Sequence, residues 1–307
     1  MSKVMAHNEF EYYLYGLSVG FANVVRNKFA LGLKKTLGKI SQPINSYTRF
    51  PEYHHMAIAI RREFGFATNG GRRRILDVGS PKCFGLYLAS KFNAEVHLTD
   101  ISPLNVNEYE VMWNAVRKHA RGRAVFSVQD ARTLSYASDS FDVVYSMSVI
   151  EHIEGSEGDS ESVREFMRVL RPGGLLLVSI PLGINYLEQE RVGVQGAARK
   201  MEDGHLYFFQ RIYDVRTLEG RILTHAVPRE SVELATVWRT QRTIPIVYGK
   251  LGENIRGALG FLNPWISAVV NRSTPGLKTN FFCSYGRVYH DEDIYGDAVI
   301  IVRKTQA

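Results

Sequence analysis

Ile75-Leu76-Asp77-Val78-Gly79-Ser80 decides the fold: a short apolar run, an acid near its end, then a glycine opening a loop. Working outward, Leu86–Phe92 reads as a helix and Glu95–Thr99 as a second strand ending at Asp100. Val106–His119 is helical, with Val111, Ala115 and Val116 on one side. Ala124–Val128 is a third strand ending at Gln129-Asp130, and Phe141–Ser146 a fourth. Ser162–Leu170 is helical and stops at Arg171-Pro172-Gly173-Gly174, before a fifth strand, Leu175–Ile180. Apolar strands that alternate with helical patterns predict an α/β fold, a parallel sheet covered on both faces. Val215–Ile222 predicts a further helix, Val232–Trp238 a sixth strand and Ala298–Val302 the last one. The proline-bearing stretch 239–297 is too long for a plain connection and reads as a lid or substrate insertion.

In such a sheet, ligands bind beyond the carboxyl ends of the strands. The residues just past those ends are Asp77, Asp100 and Asp130, with Ser146-Met147 after the fourth strand. An acid after the second strand can accept hydrogen bonds from both ribose hydroxyls. The phosphate-seating Gly-x-Gly-x-x-Gly of a nicotinamide dehydrogenase is not there; Pro81 and Lys82 stand in the loop instead.

Six segments in register resemble the class I S-adenosylmethionine-dependent methyltransferases, chiefly the branch acting on small molecules. They are Ile75–Gly79, Thr99–Ile101, Gln129–Ala131, Phe141–Ser146, Ile150–Ile153 and Leu170–Gly174. The resemblance covers about residues 72–182 and implies a doubly wound, Rossmann-like sheet of seven strands, mostly parallel, with an antiparallel last strand. It implies S-adenosyl-L-methionine as cofactor, with Asp77, Gly79, Ser80 and Gly85 around its methionine part. Asp100 would hold the ribose and Ile101 would lie against the adenine face. Asp130 and Ala131 would border the adenine edge, and Ser146 and Met147 would floor the pocket. The resemblance also puts the start of the last strand on the cofactor side, so that Tyr289–Tyr295 lie near the acceptor or form an exposed acidic turn. The loop departs from the family's glycine-rich pattern at Pro81-Lys82, and Lys82 is either a cofactor-carboxylate contact or a solvated lysine.

A methyl transfer needs a base only when the acceptor must lose a proton. His152, past the fourth strand, is the candidate catalytic residue; the competing reading is a histidine with a structural hydrogen bond. Glu151, Glu154, Glu157 and Asp159 read as a solvated acidic loop with Ser160 as a helix cap, and no metal is expected. His205, Tyr207 and Arg211 line the acceptor pocket or pack as an aromatic cluster. His54-His55 reads as structural.

Across the 307 residues the net charge is +7, and residues 1–74 hold twelve Lys and Arg against four Glu. Residues 1–71 therefore read as a basic helical cap segment before a catalytic domain over 72–307. Within it, Phe29, Leu33, Leu37 and Ile40 recur at helical spacing among Lys28, Lys34, Lys35 and Lys39. Residues 28–40 thus suit either peripheral contact with an anionic membrane or packing over the pocket. Two distant cysteines, Cys83 and Cys283, suit a reducing, cytoplasmic setting. The near-neutral remainder argues against nucleic acid as partner. The expected function is methyl transfer to a small-molecule, lipid-linked or glycan-type acceptor; the alternatives are a non-catalytic cofactor-binding module and, behind it, a nucleic-acid methyltransferase. The sequence fixes neither the acceptor nor an oligomeric state.

Overall fold

The protein is described from a computed structural model over residues 2–26, 50–65, 71–183, 185–192, 194–195, 199–200, 204–226, 232–239 and 296–305. The stretches 28–40 and 240–295, with the candidates Tyr289–Tyr295, lie outside these residues.

The principal strands are β1 (Arg73–Val78), β2 (Ala94–Asp100), β3 (Arg123–Val128), β4 (Phe141–Met147) and β5 (Leu170–Leu182). A polar hairpin follows, β6 (Leu187–Val192) with β9 (Leu206–Ile212), and the connection between them holds the two-residue strands β7 (Val194–Gln195) and β8 (Arg199–Lys200), which pair with each other. The sheet is completed by β10 (Val232–Arg239) and β11 (Gly296–Arg303). Its order is β10-β11-β5-β4-β1-β2-β3. β3, β2, β1, β4 and β5 pair in parallel, while β11 runs antiparallel to both neighbours. This is the doubly wound, seven-stranded sheet with an antiparallel last strand that the sequence predicts.

The helices are α1 (Ser2–Arg26), α2 (Phe50–Gly65), α3 (Lys82–Lys91), α4 (Pro103–Val116) and α5 (Gly158–Val169). A last helix starts as α6 (Val215–Leu218), passes through a π-turn at Glu219–Leu223 and closes as α7 (Thr224–Ala226). Ser102 caps α4 by accepting from the Asn105 amide at 3.4 Å, and Pro103 follows it where no amide donor is needed.

Side chains alternate across the sheet, as the two-residue period of a strand requires. Ile75, Val143, Tyr145, Leu175, Leu177, Val299 and Ile301 face one core with α1, α2, α3 and α4. Leu76, Val144, Leu176, Val178, Ile300 and Val302 face the other with α5 and α6. Tyr12, Val19, Tyr53, Met56 and Ile60 are buried in the first core beside Phe84 and Tyr87, so α1 and α2 complete a helical layer of the same domain.

Two local expectations are corrected. Ser160 is not a cap: it lies inside α5, and its hydroxyl donates to the Arg221 carbonyl at 2.9 Å. The acidic loop is only partly solvated, since Glu151 and Asp159 are both buried. Asp159 accepts from Tyr213 Oη at 2.8 Å and pairs with Arg221 at 2.7 Å, which meets the cost of burying a carboxylate.

Candidate functional site

The carboxyl ends of β1, β2, β3 and β4 are tied into one platform. The Gly79 amide donates to Thr99 O at 2.9 Å, and Thr99 Oγ1 donates to Asp77 O at 2.7 Å. The Gln129 amide donates to Asp100 O at 3.0 Å, extending the tie to β3. Gly79 has φ +68°, the left-handed turn that lets the chain leave β1 sharply.

Asp77 is spent on holding that loop. Its Oδ1 accepts from the Ser80 amide at 3.0 Å and its Oδ2 from Tyr145 Oη at 2.5 Å. Ser80 is held in turn: its hydroxyl accepts from the Met147 amide at 3.0 Å, and its carbonyl accepts from Tyr109 Oη at 2.5 Å. Gly85 lets α3 approach. A Cβ there would stand 2.8 Å from Asp77 Oδ2 and 2.9 Å from Tyr145 Oη. Pro81 precedes α3 and is compatible with this path. Asp77, Ser80, Gly85, Ser146 and Met147 are all interior, so they shape the platform from beneath. Ser146 Oγ donates to Val78 O at 3.1 Å, joining β4 to β1.

Among the other candidates Ile101 and Asp130 reach solvent, while Asp100 and Ala131 are buried, 9% and 8% exposed. Asp100 Oδ1 accepts from the Ser102 amide at 2.8 Å and Oδ2 from Asn105 Nδ2 at 3.0 Å. Each oxygen has two acceptor positions, so each retains one for a ligand hydroxyl. Beside it, Ile101 is 64% exposed, an apolar side chain that a planar base would cover. Asp130 is partly exposed and held by Arg132, whose Nη2 reaches Oδ2 at 2.7 Å. Hydrogen bonds from Arg132 keep the Asp130 carboxyl below its ordinary value against the opposing pull of burial. Ala131 packs into the second core. A paired-hydroxyl acceptor at Asp100, an apolar face at Ile101 and an ionised acid at Asp130 form an acceptor set that fits the hydroxyls, ring and amine of an adenosine.

His152 ends a 3₁₀ turn, Ile150–His152, just past β4. Its Nδ1 lies 2.7 Å from the carbonyl of Phe209 on β9. A carbonyl only accepts, so this geometry assigns the proton to Nδ1 and the lone pair to Nε2. Glu151 Oε1 is 3.8 Å from Nε2. Arg211, fully buried, donates from Nη1 to Ile153 O at 2.6 Å and from Nη2 to Gly155 O. The hairpin is therefore fastened to the loop that carries His152. Arg211 belongs to that fastening. Tyr207 pairs with Arg191 across the hairpin.

One cluster carries no sequence signal. Glu52 of α2, 0% exposed, accepts at Oε1 from Ser148 Oγ at 2.7 Å and from Ser179 Oγ at 2.9 Å. Ser148 sits at φ +49° directly after β4, an uncommon conformation for a residue with a side chain. A serine and a glutamate 96 positions apart give no pattern to read. His54 and His55 meet edge to face at 5.3 Å between ring centroids, and burial lowers both, His55 to about 4. Among the described residues no group of three or more metal-ligating side chains converges.

Residues 76–178 match the methyltransferase domain family, spanning β1 to β5 and every platform residue from Asp77 to Met147. A phosphoethanolamine N-methyltransferase of Triticum aestivum is 31% identical over 160 residues, which is 50% of this chain and 27% of that protein. A second from the same organism is 28% identical over 222 residues, 66% of this chain and 39% of that one. Methyltransferase GfsG of Streptomyces halstedii is 34% identical over 111 residues, 34% of this chain and 37% of that protein. The alignments thus span well under half of these relatives' own length. Among solved structures, that of the [4+2]-cyclase SpnF aligns over 83% of this chain and 82% of its own, with a TM-score of 0.48 and 19% identity.

Sheet order, platform and family match together define a class I S-adenosylmethionine-dependent methyltransferase domain. Its cofactor is S-adenosylmethionine.

Proposed function

We propose that this chain is an enzyme that methylates a small acceptor, with phosphoethanolamine the first acceptor to test because it appears in the names of two relatives. The observation that carries the reading is the row of strand ends inside the family match. Asp100, Ile101 and Asp130 lie at or just past the ends of β2 and β3, and His152 follows β4.

Asp100 and Asp130 would hold the ribose and the adenine amine. Bound there, the cofactor supplies a methyl group on a positively charged sulfur. The donor is already activated, so holding the two reactants in line contributes much of the acceleration. His152 supports the remaining step. With Nδ1–H fixed by Phe209 O, Nε2 can take a proton from the acceptor's nucleophilic atom.

Transfer of a tritiated methyl group from the cofactor to phosphoethanolamine, and in parallel to lipid-linked and glycan acceptors, tests the acceptor class. Product from none of these removes the acceptor reading. Binding of S-adenosylhomocysteine, measured by calorimetry, tests the cofactor site separately. Asp100→Ala should weaken that binding by about tenfold to a hundredfold, the worth of hydrogen bonds to a charged group. An unchanged Kd would sink the ribose assignment. His152→Gln should lower turnover by about 10²- to 10⁴-fold while leaving S-adenosylhomocysteine affinity intact. Full turnover in that variant would move the base elsewhere.

A further inference from the structure

Helix α1 presents two different faces. Tyr12, Tyr13, Val19 and Asn23 are buried against the domain. On the opposite side, Leu14, Phe21 and Val25 are 48%, 60% and 58% exposed. With Ser18 these positions follow the spacing of one helical stripe, about 16 Å long at the rise of an α-helix. A single exposed apolar residue is ordinary; an aligned ridge of them marks a contact surface.

The described charge at the C-terminal end of the ridge is positive. Arg26 Nη1 donates to Asn114 O at 2.7 Å, which pins the end of α1 beside the end of α4. There Arg117, Lys118, His119 and Arg121 are exposed, and no acidic residue occurs from Val111 to Arg123. The acids Glu108 and Glu110 lie further back on α4. From Tyr12 to Pro51 the sequence has no Asp or Glu but has Arg26, Lys28, Lys34, Lys35, Lys39 and Arg49. A second copy of the chain would bring like charges together, and a nucleic acid would leave the apolar ridge unused. An apolar ridge with positive charge at its C-terminal end is complementary to an anionic lipid surface. No described helix is long and apolar enough to cross a membrane, so the contact would lie on the surface.

We propose that the Leu14–Phe21–Val25 ridge, with the basic end of α4, docks this protein onto bilayers rich in anionic lipid. The proposal is independent of the methyl-transfer reading. The test is co-sedimentation of the full chain with vesicles of phosphatidylcholine, alone or mixed with phosphatidylglycerol, at low and high salt. Binding should require phosphatidylglycerol and fall as salt rises. Phe21→Ser with Val25→Ser, and separately Arg117→Glu with Lys118→Glu, should each weaken it by about tenfold or more. Unchanged S-adenosylhomocysteine affinity would show that both variants are folded. No pelleting of the full chain, or wild-type pelleting by the Phe21–Val25 variant, overturns the proposal. So does a dimer in sedimentation velocity that this variant dissociates, because the ridge would then be a self-contact.

Discussion

Asp77 lies near the end of β1, where the sequence sets it, and both of its carboxyl oxygens are engaged inside the protein. Burial pushes its carboxyl up to about 7, the donors Tyr145 and Ser80 oppose that, and the charge of Asp100 adds to it. Between pH of about 4 and 7 the folded protein therefore holds a proton that the unfolded chain has lost. Stability should fall as pH rises through that window, and the whole penalty, on the order of 4 kcal/mol, is in place above it. Asp77→Asn keeps the shape, accepts from Ser80 and donates to Tyr145. Its melting temperature should change less than that of the native protein between pH 5 and 8. Equal slopes for the two proteins would show that Asp77 is ionised throughout. The positions of Asp100 and Asp130 were legible because they close or follow strands whose apolar residues mark them. The inward turn of Asp77 was not, because it depends on Tyr145 and Gly85 arriving from β4 and α3. Glu52 was less legible still: its partners are 96 and 127 residues away.

Among the elements, β1, β4 and β5 were readable because strands buried on both faces are rich in apolar residues, and β2 and β3 from Val96, Leu98, Val125 and Phe126; only their ends shifted by a few residues. The β6–β9 hairpin escaped detection for the opposite reason. Its residues Leu187, Glu188, Glu190, Arg191 and Val192 are exposed, so no apolar periodicity marks them. What holds the hairpin is electrostatic. Arg211 sits 3.4 Å from Glu188 and 3.9 Å from Asp159, which also binds Arg221 and Tyr213. Burial alone would raise the Asp159 carboxyl; the hydrogen bonds from Arg221 and Tyr213 and the charges of Arg211 and Arg221 leave it lowered instead. Asp159→Ala strips a buried charge cluster of its only fully buried carboxylate and should cost about 3–5 kcal/mol in urea unfolding. Since Arg211 also fastens the Ile153–Gly155 segment, turnover should fall more than S-adenosylhomocysteine affinity does. A loss below about 1 kcal/mol would mean that the cluster is solvated and contributes little.

At the scale of the molecule, the N-terminal quarter reads from its charge as a cap, yet α1 and α2 form half of a helical layer. The sign of a charge excess reports what faces water; it says nothing of the apolar face behind it. Tyr12 packs tilted against Tyr53 at 4.2 Å between ring centroids, and Tyr53 stacks on Phe84 at 5.6 Å, so α1, α2 and α3 share one aromatic seam. Glu11 of α1 ties to Arg61 of α2 at 2.5 Å and to Lys91 of α3 at 3.0 Å. A chain starting at Arg72 would bare Phe84 and Tyr87 to water. It should aggregate or melt well below the full chain, by more than about 5 °C in a thermal scan. It would also lose Glu52, the acceptor for both Ser148 and Ser179, so the end of β4 that leads to His152 would be free to relax. Any soluble fraction should therefore turn over more slowly than it binds S-adenosylhomocysteine would suggest. A chain from Arg72 that melts with the full protein and keeps its turnover would make α1 and α2 a separable appendage, with the catalytic platform standing on the sheet alone.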